Sequence, residues 1–138
     1  MARKAPQARI TSYGIYTPFD RTGKQLPHVL EFTTDVPAQV GTEFGYVLEI
    51  TKAQGELLMF RIDHPDFPDA DGEPAPPFTG QQRVRTSPYT FFLGDCIWAP
   101  AADKVGDWTL TTWIAEKQVA RKTFHVTAES PPPNAGRR

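Results

Sequence analysis

The residues best suited to chemistry lie in one acidic segment, I-D-H-P-D-F-P-D-A-D-G-E, at positions 62–73. Calcium takes about six to eight oxygen ligands, and D-A-D-G from Asp69 to Gly72 has the spacing with which a calcium loop begins. The remaining ligand spacing is absent, and one histidine among scattered carboxylates is a poor set for a transition metal. We therefore interpret the segment as a solvated turn without a metal. The side chains concerned are Asp63, His64, Asp66, Asp69, Asp71 and Glu73.

Catalytic motifs are missing from the sequence. His28, His64 and His125 lie far apart in the chain, and there is no Gly-x-Ser-x-Gly sequence. Cys96 has no Cys-x-x-Cys partner or adjacent base, so it is interpreted as a small apolar residue on a strand. Paired catalytic carboxylates stay open as an alternative, because their separation is set by the fold. We predict a protein that is not an enzyme and binds no cofactor.

Surface aromatic residues suggest a binding role instead. Trp98, Trp113, Tyr13 and Tyr89 are candidate ligand-binding residues for a carbohydrate or another small ligand. Trp113 is the most informative of them, because the residues on its face of the predicted strand are small. Its ring either stands in solvent or is covered by another element of the fold.

These residues must be positioned by strands, because apolar and polar residues alternate along most of the chain. The runs 8–16, 28–36, 43–51, 57–64, 82–86 and 89–93 predict strands, and 106–127 predicts a hairpin. Trp108, Leu110, Phe124 and Val126 are predicted core residues of that hairpin. With no amphipathic helix, the pattern indicates an all-β protein, an antiparallel immunoglobulin-like Greek-key β-sandwich of seven or eight strands. A small closed barrel is the alternative fold.

Residues 65–80 interrupt this pattern and contain five of the fourteen prolines. Proline cannot donate to a strand ladder, so we predict a long surface loop. The candidate protein-binding residues in it are Asp66, Phe67, Asp69, Asp71 and Phe78. A free edge strand in the region 82–93 is the second candidate surface for an unidentified protein partner. Protein binding is the predicted function, and carbohydrate or small-ligand binding is the alternative.

Composition limits the domain count and the partners. The chain of 138 residues is long enough for one domain, predicted at 8–128, with disordered ends at 1–7 and 129–138. Fifteen basic and sixteen acidic residues give a net charge of −1, so the protein has no net positive potential that would attract a nucleic acid or an anionic membrane. The chain contains neither a signal peptide nor a membrane span, so a cytoplasmic location is expected.

Several short motifs resemble those of a known group of proteins. The G-D-W-T-L sequence at 106–110, followed by V-A-x-x-T-F-x-V at 119–126, is similar to the last two strands of many bacterial immunoglobulin-like modules. The G-I-Y strand at 14–16, V-G-T-E-F-G at 40–45, the His64-Pro65 step and Trp98 extend the resemblance to a small bacterial family of stand-alone domains of unknown function. This resemblance implies an immunoglobulin-like sandwich and implies no activity.

Overall fold

The computed structural model describes residues 5–19 and 25–128, and nine strands lie among them in two packed sheets. The strands are β1 (Gln7–Tyr16), β2 (Val29–Glu31), β3 (Asp35–Pro37), β4 (Glu43–Thr51), β5 (Leu57–Asp63), β6 (Phe78–Arg83), β7 (Tyr89–Cys96), β8 (Gly106–Ile114) and β9 (Lys117–Thr127). Sheet A has the order β2-β1-β4-β7, and sheet B has the order β3-β9-β8-β5-β6. A 3₁₀ turn, Ala101–Lys104, precedes β8.

The core forms where alternation along the sequence is strictest. In β4 every second residue is fully buried against sheet B, and the predicted core residues of β8 and β9 are buried as well. Sheet B supplies the facing layer, so the predicted two-layer sandwich is confirmed. The large apolar core residues on the inner faces of these three strands are Phe44, Tyr46, Leu48 and Ile50, then Trp108, Leu110 and Ile114, then Phe124 and Val126.

The predicted strand at 28–36 is wrong, because the chain changes sheets within it. β2 pairs with β1 in sheet A, whereas β3 pairs with β9 in sheet B and runs parallel to it. Because of this change of sheet, the apolar residues of the segment are not buried in turn on one face, and Leu30 and Phe32 are 66% and 59% exposed. It also raises the strand count above the predicted seven or eight and adds one parallel pair to an otherwise antiparallel fold.

The predicted ends of the domain are described only in part. β1 begins at Gln7, which was predicted to be disordered. Residues 1–4 and 129–138 lie outside the described residues. In the described part of the chain, no helix has the length and apolar character needed to cross a membrane.

Three glycines lie side by side across sheet A. Gly14 pairs with Gly45, and Gly45 pairs with Gly94 on the next strand. Gly14 and Gly45 have φ angles of +132° and +155°, which side chains rarely adopt. A Cβ at Gly14 would lie 1.9 Å from the carbonyl oxygen of Glu31, so the backbone of β2 approaches this position too closely for any residue but glycine.

One buried hydrogen bond joins the two sheets. The hydroxyl oxygens of Tyr46 in β4 and Thr112 in β8 lie 2.7 Å apart, and both residues are fully buried. Burial raises the pKa of Tyr46 well above its ordinary value of about 10, although the hydrogen bond from Thr112 acts in the opposite direction. The folded protein therefore keeps this phenol protonated at pH values where the unfolded chain loses the proton.

We expect this tyrosine to make the protein sensitive to alkali. Its contribution is fully present below pH 10 and is lost as the pH rises further, because only the unfolded state then releases the proton. The loss should approach about 1.4 kcal/mol per pH unit in the free energy of unfolding. Urea denaturation between pH 8 and pH 12 measures it. Tyr46→Phe should be less stable at pH 8 and should show a shallower alkaline slope, and an unchanged slope would contradict the assignment.

Candidate functional site

The four aromatic candidates for ligand binding lie at separate places in the fold. Trp98 is 37% exposed at one end of the sandwich, where its ring packs edge-on against Trp108. Tyr13 packs against the core from β1, with the Lys122 ammonium 4.0 Å from its ring centroid. Tyr89 accepts a hydrogen bond from the Gln82 amide at 2.6 Å. Trp113 is half-buried on the outer face of sheet B, so these residues form no common surface.

The proline-rich segment is a folded extension of the core. Phe67 is only 5% exposed and stacks with His64 at a centroid distance of 4.4 Å. Phe78 begins β6 and packs against the same histidine at 4.5 Å. Phe67 is therefore unavailable to a partner while this packing holds. Among the loop candidates, the exposed side chains are Asp66, Asp69 and Asp71.

At the acidic tip of this segment, one carboxylate stabilises the turn. The Asp69 carboxylate accepts hydrogen bonds from the backbone N–H groups of Asp71 and Glu73 at 2.8 and 3.0 Å. The two ring nitrogens of His64 each lie 2.8 Å from a carbonyl oxygen, one of Pro65 and one of Pro76. Within residues 5–19 and 25–128, no three His, Cys, Asp or Glu side chains lie close enough together to hold a metal ion.

A buried lysine at the same end of the sandwich is absent from the sequence predictions. Lys104 is 1% exposed, and its ammonium donates to the Pro100 carbonyl at 3.1 Å and pairs with the Asp103 carboxylate. The ammonium also lies 4.4 Å from the ring centroid of Trp98 and 4.9 Å from that of Phe67. These contacts compensate for the loss of water around the charge. Trp98, Pro100 and Asp103 lie within six residues of Lys104, whereas Phe67 comes from the proline-rich segment, so the sequence near Lys104 records only part of the site.

The outer face of sheet B carries a group of side chains that we call the Trp113 platform: Met59, Arg61, Thr111, Trp113 and Arg121. Met59 lies directly opposite Trp113, and Arg61 and Arg121 both lie opposite Thr111 on the strands that flank β8. The Arg61 guanidinium carbon is 5.9 Å from the Trp113 ring centroid. A groove of about 560 Å³ runs beside this ring, between Gln81 of β6 and Glu116 of the hairpin turn.

The second surface feature is the side of the sandwich between β6 and β7, which we call the open side. β6 ends sheet B and β7 ends sheet A, so two strand edges border the same gap. A cleft of about 620 Å³ lies between them. Its apolar lining comes from both sheets and includes Phe60, Phe78, Phe91 and Leu93. The free strand edge predicted within 82–93 is thus present as β7.

Comparisons with known proteins agree with this architecture. The model of a family described as a domain of unknown function, DUF3859, matches residues 4–126. An immunoglobulin-like protein from Pseudomonas aeruginosa has a similar structure, with a TM-score of 0.70 and 23% sequence identity. The match covers 91% of this chain and 99% of that chain. The predicted immunoglobulin-like fold and the predicted kind of family are both confirmed.

A second solved structure is more distant. It is the alkylpurine DNA glycosylase AlkC from Pseudomonas fluorescens, bound to DNA that contains an abasic site analog. Its TM-score is 0.41 and its sequence identity is 12%, with coverage of 88% of this chain and 31% of that chain. No curated protein sequence matches the chain. The immunoglobulin-like protein from Pseudomonas aeruginosa thus supports the fold, and none of these comparisons assigns a function.

Proposed function

Because the chain belongs to the DUF3859 family, whose function is unknown, we propose a role from its own surface: it is a non-enzymatic binding module that accepts an extended segment of a partner protein along β7. The observation that carries this proposal is the outer edge of β7 from Tyr89 to Gly94, which pairs with no further strand among the described residues. Within the described residues this strand of eight residues pairs only with β4. Such an edge is a template for an added strand.

The composition of β7 supports the proposal. Proteins usually protect an edge strand with lysine, proline or a bulge, because an unprotected edge pairs with other chains. The sequence of β7 is Y-T-F-F-L-G-D-C, in which Asp95 is the only charged residue and proline is absent. About half of its backbone N–H and C=O groups point away from β4, since the direction alternates along an antiparallel strand. These groups would hydrogen-bond to the partner.

The cleft of the open side sets the kind of segment that fits. An added strand turns alternate side chains toward the gap between the sheets, where Phe60, Phe78 and Phe91 form the wall. Apolar side chains at every second position of the partner would therefore be buried there. The function proposed here is recognition of an extended segment with alternating apolar residues, with backbone pairing for affinity and the cleft for specificity.

Peptide selection tests the proposal directly. Phage-displayed peptides selected on the purified protein should be extended, with apolar residues at alternate positions, and should protect the amides of β7 from hydrogen exchange. Thr90→Lys places a charge on the β7 edge and should weaken such peptides about tenfold, equivalent to about 1.4 kcal/mol. Thr90 is exposed, so the protein should still fold.

The same substitution on the other edge serves as the control. Thr79→Lys lies on β6, is also exposed, and should leave peptide affinity within about twofold. Peptides that protect β6 amides and lose affinity through Thr79→Lys would transfer the site to the other strand and overturn the proposal for β7. A selection that yields peptides without any protection of β7 would also overturn it.

A further inference from the structure

We propose that the Trp113 platform is a second binding site, and that its ligand is an acidic saccharide, a sugar ring that carries a carboxylate or sulfate group. This site lies on the outer face of sheet B and takes a ligand of a different class, although Phe60 lines both its groove and the cleft of the open side. The proposal rests on an aromatic ring available for stacking, two arginines at the same position along the sheet, and polar groups at the rim of the groove.

The Trp113 ring supplies the apolar part of the site. It is half-buried in the outer face, and its cross-strand neighbour Met59 is 41% exposed beside it. The neighbours of Trp113 along its own face of β8 are Thr109 and Thr111, whose side chains are short, and Thr111 is 4% exposed beneath the longer side chains of the platform. An indole face of this kind packs against the C–H face of a pyranose ring, since both surfaces are flat and apolar.

The two arginines supply the charge. Arg61 and Arg121 flank Thr111 from β5 and β9, so their backbones are two strand spacings apart, about 10 Å. Both long side chains can therefore reach an anion above Thr111. Arg61 donates to Asp63 through Nε at 3.0 Å, which leaves its two terminal nitrogens for another acceptor. Among residues 5–19 and 25–128, the exposed Arg121 side chain forms no ion pair and no hydrogen bond of its own.

The rim of the groove supplies partners for hydroxyl groups. Gln81 and Glu116 line it on either side of the Trp113 ring. Gln118 lies opposite Trp113 on β9. Amide and carboxylate groups both accept hydrogen bonds from sugar hydroxyls, and the amides donate as well. The negative charge of Glu116 places the anionic group of the ligand at the arginine end. A groove of about 560 Å³ falls within the range of small-ligand sites, about 300–1,000 Å³.

Titration with defined sugars tests this assignment. The probes are a digalacturonate and, as the matched neutral sugar, digalactose, each added to ¹⁵N-labelled protein with the indole N–H signals followed by NMR. Digalacturonate should shift the Trp113 signal with a Kd of about 1 mM, and digalactose should bind at least about fivefold more weakly. Raising the salt concentration should weaken the binding of digalacturonate and leave the binding of digalactose unchanged, because only the acidic sugar binds through charge.

Variants separate this site from its surroundings and from the proposed peptide site. Trp113→Ala should lower affinity for digalacturonate at least about tenfold, and Arg121→Gln should lower it about fivefold and remove the preference over digalactose. Arg83→Gln, which removes an exposed arginine outside the platform, is the control and should leave affinity within about twofold. Thr90→Lys should leave sugar binding unchanged, so failure of either proposal is distinguishable from failure of the other.

Three outcomes would overturn the inference. The first is equal affinity for the acidic and neutral sugars, because the arginines would then contribute nothing. The second is a shift that persists in Trp113→Ala, which would place the sugar elsewhere. The third is the absence of any shift in the native protein at about 20 mM digalacturonate, far above the expected Kd. Arg121→Gln keeps the test informative even if Trp113→Ala does not fold, because the arginine side chain is exposed.

Discussion

Gly45→Ala is expected to lower the free energy of unfolding by at least about 4 kcal/mol, enough to unfold a domain of ordinary stability. The new Cβ would lie 2.1 Å from the carbonyl oxygen of Leu93 and 2.6 Å from the Cα of Gly94. Both atoms belong to the backbone of β7, which cannot move without breaking its pairing with β4. The φ angle of +155° adds backbone strain to this clash.

A matched glycine separates the two causes. Gly41 also has a positive φ, +96°, but a Cβ added there would meet no atom within 4 Å. Gly41→Ala should therefore cost about 1–2 kcal/mol, through backbone strain alone. Urea denaturation monitored by tryptophan fluorescence measures both variants at neutral pH. If Gly45→Ala proved no more destabilising than Gly41→Ala, the close approach of β4 and β7 would be wrong.

The glycine pairing has a consequence for the proposed binding strand. Gly45 and Gly94 let β7 approach β4 closely, and the Phe92 ring lies over Gly94, where a Cβ would be 2.5 Å from its Cζ atom. Phe92 in turn packs edge-on against Tyr16 at 5.0 Å and Phe19 at 4.9 Å. The edge that we propose as a docking strand is thus fixed from one side. A rigid edge loses little conformational entropy when a partner pairs with it.

The parts of the fold that the sequence predicted share one property, which is a long strand with one face buried in the core. β4 and the β8–β9 hairpin alternate for nine or more residues, so their core residues followed from period two alone. The type of the hairpin turn, in contrast, could not be predicted from its residues. Its central residues, Ala115 and Glu116, adopt φ angles of +50° and +67° in a place where asparagine or glycine would normally signal the turn.

Prediction failed where non-local packing decides the outcome. The segment 28–36 alternates well but changes sheets, and no sequence period records which sheet a strand joins. Lys104 was not singled out in the sequence, because its burial depends on the Phe67 ring from the proline-rich segment as well as on the nearby Trp98 ring. The aromatic ligand candidates were selected by residue type alone, so their dispersal could not be foreseen. For Trp113 the small residues on its face of β8 left two outcomes open, a ring in solvent or a ring covered by another element, and the structure has it half-buried.

Phe67→Ala is the second substitution from which we expect a large effect, about 3–5 kcal/mol in the free energy of unfolding. The ring fills the space between His64, Trp98 and Trp108, with centroid distances of 4.4, 5.4 and 6.0 Å. Its removal leaves a cavity and also takes one aromatic face away from the buried Lys104 ammonium. Phe67→Leu keeps most of the volume and should cost less than about 1.5 kcal/mol.

This pair of variants decides between two roles for the proline-rich segment. If Phe67 were a partner-binding residue, Phe67→Ala would weaken binding and leave stability nearly unchanged, as is usual for surface substitutions. If it anchors the segment to the core, stability should fall in proportion to the volume removed, while peptides bound along β7 keep their affinity for the folded fraction. Thermal denaturation and peptide titration of both variants give these two quantities. The 5% exposure of Phe67 favours the anchoring role, which leaves the three exposed aspartates and the half-buried Phe78 as the loop candidates still available to a partner.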